Sequence, residues 1–161
     1  MESYNDILEK VDISSAEIEK IIKVIVDKHC SNLSKLVNQI KNIMTTSDDD
    51  LTDGEIDDLL IQLPLALYEV SDRQEYLGMK DDISTALTKE LYNKVYQSTE
   101  GKVAEKTAIA ELATQKQSII SAAISRSYKI VKSKVEAAYE LLNGIKKIQN
   151  RRIAYKEMRG E

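Results

Sequence analysis

An all-α fold is what this sequence predicts, and three observations carry the prediction. Glycine and proline are scarce, five and one in 161 residues, where a sheet protein needs many more turn residues. Apolar residues recur at alternating steps of three and four over long stretches, which is the period of one helix face. Phe and Trp are absent and eight Tyr supply all the aromatic area, so a core must be built from Ile, Leu, Val and Ala, a composition that suits thin seams between helices. The expected architecture has two parts. Residues 1–50 form an acidic N-terminal amphipathic helix and linker, and residues 51–161 form an elongated helical hairpin with a basic second arm.

Along the chain, Tyr4, Ile7, Leu8 and Val11 suggest a short leading helix. Ser14-Ser15-Ala16-Glu17 then reads as a capping box, in which a Ser hydroxyl takes a free backbone amide and the Glu reaches back to the cap residue. Behind it Ile18, Ile22, Ile25, His29, Leu33, Leu36, Ile40 and Ile43 keep the helical step, which predicts a first long helix from about Ser15 to Met44. Thr45 to Asp50 has no period and strong like charge, the mark of a solvated linker.

A second capping box, Thr52-Asp53-Gly54-Glu55, opens the next helix with acids in the first turn, where the helix dipole favours them. Its stripe runs through Ile56, Leu59, Leu60, Leu63, Leu67, Val70, Leu77, Ile83, Leu87, Leu91 and Val95. Pro64 lacks a backbone donor and crowds the carbonyl four residues earlier, so a kink or break is expected between Ile61 and Pro64. Gly78 with Asp81-Asp82 marks a second candidate interruption. Ser98-Thr99-Glu100-Gly101 closes the element as a tight turn. After it Ile120, Ile124, Tyr128, Val131, Val135, Ala138, Leu142 and Ile145 share one narrow sector of a helical wheel. One helix from Lys102 to Lys156 would be about 80 Å long. The alternative is a break at Asn143-Gly144; the unbroken arm is the preferred reading, with seams that pair with other subunits into a homo-oligomer.

Charge divides the chain. Residues 1–65 hold six Lys and fourteen acids, a balance of −8, whereas residues 112–161 hold eleven Lys or Arg against four acids, or +7. From Leu112 to Val135 there is no acid at all, while Lys116, Arg126, Lys129, Lys132 and Lys134 are spread along the stretch. A basic element of this kind suits a polyanion or an acidic partner. On the wheel of the last helix, Arg126, Lys129, Lys147 and Arg151 project away from the apolar stripe, with Lys132 and Lys146 on its flanks and Glu136 and Glu140 diluting the charge. An ordinary solvated face is the alternative to a binding stripe.

Signals of catalysis are missing. His29 and Cys30 are the only adjacent base and nucleophile, and neighbours on a helix point about 100° apart, so they do not share a proton. One His and one Cys cannot build a zinc site, and no cofactor is expected. With Asp49 taken as the first ligand of a calcium loop, Leu51 and Leu60 fall where oxygen ligands are required. There is no Gly-rich phosphate loop and no Ser with His and acid partners. A single Cys fits a reducing cytoplasm. No apolar run is long enough to span a bilayer, and the first residues lack the pattern of a secretory signal.

The remaining candidate is the segment Lys89-Glu90-Leu91-Tyr92-Asn93-Lys94-Val95-Tyr96, followed by Lys102 and Lys106 across the turn. Lysines neutralise phosphates and tyrosines offer stacking faces, the combination used on single-stranded nucleic acid. Lys89, Tyr92, Lys94, Tyr96, Lys102, Lys106, Arg126 and Lys129 are therefore the candidate contact residues.

Over about Asp81 to Gly160 the order of features resembles the UvsY-like recombination mediator proteins of tailed phages. The resemblance rests on Ala86-Leu87-Thr88-Lys89 leading to Tyr92 and Tyr96, on Ser98-Thr99-Glu100-Gly101 at the turn, and on a long helix through Ala122-Ala123, Ala137-Ala138 and Leu141-Leu142 to Ile145-Lys146-Lys147. It implies a ring-forming helical protein that binds single-stranded DNA without sequence preference and helps a recombinase replace single-strand-binding protein. It also implies DNA contacts at Lys89 and Lys94, with Lys102 and Lys106 beside them. The acidic first helix has no counterpart in that pattern. A helical assembly or adaptor protein, virion-associated or chaperone-like, is the alternative expectation.

Overall fold

The computed structural model describes the backbone of residues 4–46 and 52–160, and within them the side chains of residues 15, 16, 18–43 and 52–160. All of its regular structure is helical. The three elements are α1 (Tyr4–Thr46), α2 (Asp53–Ser98) and α3 (Val103–Arg159), of 43, 46 and 57 residues.

Three expected boundaries differ. The backbone is helical through Ser14-Ser15-Ala16-Glu17, so Tyr4 to Val11 is no separate leading helix and α1 begins eleven residues before Ser15. With no Gly or Pro in the segment, the amides that a cap would satisfy are already bonded within the helix. At Pro64 the helix continues. A proline inside a helix costs about 3 kcal/mol, whereas Leu59, Leu63, Leu67 and Val70 around it are all buried, at about 1.5–3 kcal/mol each. Burial wins. Gly78 and Asp81-Asp82 do not interrupt α2 either. Gly144 lies within unbroken α3, between buried Leu142 and Ile145, where its cost of about 1 kcal/mol is outweighed in the same way. Residues 47–51, and with them the Asp49 loop reading, lie outside the described residues.

The α2 start is as the sequence predicts. The Thr52 amide donates to Glu55 Oε2 at 2.8 Å, and the Glu55 amide donates to Thr52 Oγ1 at 3.3 Å, a reciprocal capping box. These donors hold the Glu55 carboxyl below its ordinary range, the backbone amide of Thr52 most and its hydroxyl next.

The chain forms two compact units. One comprises His29–Gln74 and Val131–Glu161, and it is a three-helix bundle with an aliphatic core. Its buried residues are Cys30, Leu33, Leu36 and Ile40 on α1, Ile56, Leu59, Leu63, Leu67 and Val70 on α2, and Val131, Val135, Ala138, Leu142 and Ile145 on α3. Cys30, at 1% exposure, lies deeper than the half-buried His29 that the sequence stripe nominated. Directions follow from the polar pairs at the rim. Asn32 donates to Glu69, while Leu36 to Ile43 share a groove with Glu55 to Gln62, so α1 and α2 are antiparallel. Gln149 donates to Asp57 at 2.8 Å and Arg152 to Asp53 at 3.1 Å, so α2 and α3 are antiparallel as well.

The other unit comprises Met1–Lys28 and Glu75–Ile130. It is packed on different chemistry. Among its described residues only Val26, Leu77, Ala110 and Ala123 are buried apolar ones, and Ser84, Thr114 and Ser127 are buried with them. Ser84 Oγ lies 3.1 Å from Ser121 Oγ across the α2–α3 seam, and Tyr128 crosses Gly78 so closely that a Cβ there would meet the ring at 3.2 Å. Each buried hydroxyl bonds a carbonyl of its own helix: Ser84 that of Asp81, Thr114 that of Ala110, Ser127 that of Ala123. Asp81 Oδ1 is buried in this unit without a hydrogen-bond donor.

This seam corrects the sequence stripe. Ile83, Leu87 and Leu91 are 50%, 51% and 38% exposed and Ile120 is 42% exposed, because small hydroxyl residues occupy the close approach of α2 to α3. Met79, Ile109, Leu112 and Ile119 are exposed in the same unit.

Candidate nucleic-acid interface

The turn between α2 and α3 is built from the residues the sequence nominates. After Ser98, the Thr99 amide and hydroxyl both donate to the Val95 carbonyl, at 3.0 and 2.7 Å, and stop the helix. Gly101 has φ +125°, a backbone state that side chains rarely adopt, and a Cβ there would lie 2.6 Å from Glu105 Oε2. Glu105 is held in place because its Oε2 accepts the Lys102 amide at 3.1 Å. A lone Glu thus caps α3. Sequence reasoning missed it, since no Ser or Thr announces it.

Lys89 and Lys94 are exposed and share one broad hollow on α2 with Ala86, Glu90, Asn93, Gln97 and Ser98. By the helical step this face is turned away from the one that carries Ser84 and Thr88 toward α3. Tyr92 and Tyr96 lie on the seam side instead. They are half-buried, stack on each other with ring centroids 6.1 Å apart and planes at 15°, and Lys106 Nζ sits 5.9 Å from the Tyr96 centroid. The structure therefore brings Tyr92, Tyr96 and Lys106 together; Lys89, three residues before Tyr92 and seven before Tyr96, stands on their side of α2, while Lys94 projects from a different one. The two rings are nearly parallel and offset, so each covers part of one face of the other.

Lys102 is exposed at the turn, and Arg126 and Lys129 are exposed on α3. Arg126 follows Lys106 by twenty residues, a separation of about 30 Å along the helix at 1.5 Å per residue. The candidate residues thus form two groups rather than one patch.

Their electrostatic state is uniform. Among the described residues none of Lys89, Lys94, Lys102, Lys106, Lys116, Arg126 and Lys129 has a carboxylate within salt-bridge distance; the ion pairs in that set both belong to Asp53, with Arg152 and with Lys156. Asp53 is held below the ordinary carboxylate range, by the Lys156 ammonium first and the Arg152 guanidinium second. Sequence reading missed this clasp, whose partners lie about a hundred residues apart.

Among the described residues no group of three or more His, Cys, Asp or Glu is placed to hold a metal ion. His29 and Cys30 sit on the bundle's α1, half-buried and buried. Among the described residues no helix is long and apolar enough to cross a membrane. The chain matches no protein-family model, no curated protein and no solved structure.

Proposed function

We propose that the protein is a non-catalytic single-stranded DNA-binding factor of the recombination-mediator kind, one that helps load a recombinase against single-strand-binding protein. The observation that carries this reading is the set of basic side chains around the α2–α3 turn and along α3 to Lys129, unneutralised in a chain with more acids than bases. Phosphates supply the missing counter-charge, with release of condensed cations as the driving force. Lys89 and Lys94 on α2, and Lys102 at the turn, hold the backbone of the strand. Tyr92 and Tyr96 act mainly by bracing that segment. The working form is a self-associating helical protein of the cytoplasm, that of the host cell if the protein is viral.

A second reading, a helical assembly or adaptor protein, is favoured by a different observation: Met79, Ile83, Leu87, Leu91, Ile109 and Ile120 are all more than a third exposed in the unit that contains the turn. Such surface suits another helix better than water.

Affinity of the full chain for homopolymer single-stranded DNA, measured across a salt series, separates the two. The mediator reading expects log affinity to fall linearly with log salt, and Lys89→Ala with Lys94→Ala to reduce the slope by up to about 1.4, at roughly 0.7 per phosphate on single strands. No binding at low salt overturns it and leaves the assembly reading.

A further inference from the structure

The last four turns of α3 carry basic residues in two distinct states. From Leu141 to Lys156 there are five Lys or Arg and no acid. Arg152 and Lys156 are bound to Asp53 at the start of α2, which fastens this end of α3 to the bundle. Lys147 and Arg151 point elsewhere. Both are exposed, and neither has a carboxylate partner among the described residues.

Tyr155 follows Arg151 by one turn and is 67% exposed. Lys147, Arg151 and Tyr155 stand at i, i+4 and i+8, so they form one line along the helix, about 12 Å from first to last. An exposed tyrosine offers an open ring face, which the mutually stacked Tyr92 and Tyr96 offer only in part. Two flexible cations and an aromatic at one-turn intervals match the backbone and base of a single strand, where charge and stacking are supplied separately. Duplex DNA keeps its bases stacked inside and has no use for the ring.

We infer that Lys147, Arg151 and Tyr155 form a second single-stranded nucleic-acid contact, on the three-helix bundle, in which Lys147 and Arg151 hold phosphates and Tyr155 stacks on a base. The inference rests on the single-stranded DNA reading above and adds residues outside its site. Burial of Leu142 and Ile145 sets which side of this part of α3 faces the bundle, the Asp53 pairs with Arg152 and Lys156 lie at its rim, and the line of Lys147, Arg151 and Tyr155 is left exposed.

The test uses the full chain with poly-dT oligonucleotides and with duplex DNA of equal charge. Lys147→Ala with Arg151→Ala is expected to lower the salt slope by up to about 1.4. Tyr155→Leu keeps the slope and is expected to weaken single-strand binding by roughly 5- to 160-fold while leaving duplex binding unchanged, the scale of one lost base stack. Photo-crosslinking of a halogenated oligonucleotide is expected to label Tyr155. If Lys89→Ala with Lys94→Ala weakens binding while the bundle variants bind as the parent does, the second contact is wrong and the first stands. Loss of single-strand and duplex binding in equal measure on Tyr155→Leu overturns the stacking role. A parent chain that binds no DNA overturns both readings together.

Discussion

Ile120 and Ile145 belong to one sequence stripe on one helix, and the structure gives them opposite fates. Ile145 is 1% exposed in the aliphatic bundle, while Ile120 is 42% exposed in the unit with the hydroxyl seam. Truncating a fully buried Ile to Ala removes its transfer energy and leaves a cavity, about 2–5 kcal/mol in all. At Ile120 nearly half of the side chain is already in water and no closed cavity forms, so the same change should cost about 1 kcal/mol. Urea unfolding followed by circular dichroism measures both, with the comparison restricted to variants that keep the parent's denaturant slope. The parent and both variants should be compared at a concentration where light scattering reports a monomer. Equal losses at the two sites under those conditions would refute the division of the core drawn here. A cost at Ile120 that grows with concentration would instead report that another copy covers it, as the self-associating form requires.

Glycines give the next pair of tests. Gly144 has nothing within 4 Å of its would-be Cβ, so Gly144→Ala should raise stability by about 0.5–1 kcal/mol in urea titration, the ordinary helix preference for Ala. Gly101→Ala should lower it by about 1–3 kcal/mol, since φ +125° is strained for a side chain and the Cβ displaces the Glu105 cap. The pH dependence comes from Asp53 and Glu55, both held below the ordinary carboxylate range. Their contribution is fully present above the unfolded-state values near pH 4 and is lost as pH falls through the lowered folded-state values. Asp53→Asn with Glu55→Gln should flatten the acid side of a Tm-against-pH curve, and an unchanged curve would show that these contacts add nothing.

Much of the bundle was legible because its buried residues are Leu, Ile and Val at helical steps, from Ile56 to Val70 and from Val131 to Ile145. The other unit was not, because a hydropathy stripe passes over Ser84, Thr114, Ser121 and Ser127 and selects Ile83, Leu87 and Ile120 in their place. Similar letters also gave different outcomes at the two capping boxes. Thr52–Glu55 caps a helix, while Ser14–Glu17 lies inside one, and the helix formers before Ser14 make the difference. At the candidate site Lys94 stands one turn from Leu91 and is exposed because that stripe is, whereas the exposure of Lys89 followed from its distance to the stripe. The inward turn of Tyr92 and Tyr96 did not, since it depends on where the seam lies, and the seam is set by hydroxyl residues that carry no apolar signal.

A seam of hydroxyls has a kinetic meaning as well as a structural one. Each of Ser84, Thr88, Thr114 and Ser127 bonds a carbonyl of its own helix, so these bonds survive when α2 and α3 draw apart, and separation exposes little aliphatic surface. Opening there should lie at the low end of the local-unfolding scale, and opening of the Val131–Ile145 core at the global end. Backbone amides of residues 84–98 and 103–121 should therefore exchange with deuterated solvent well before those of 131–145, so the turn region can rearrange around what it holds while the bundle core stays closed.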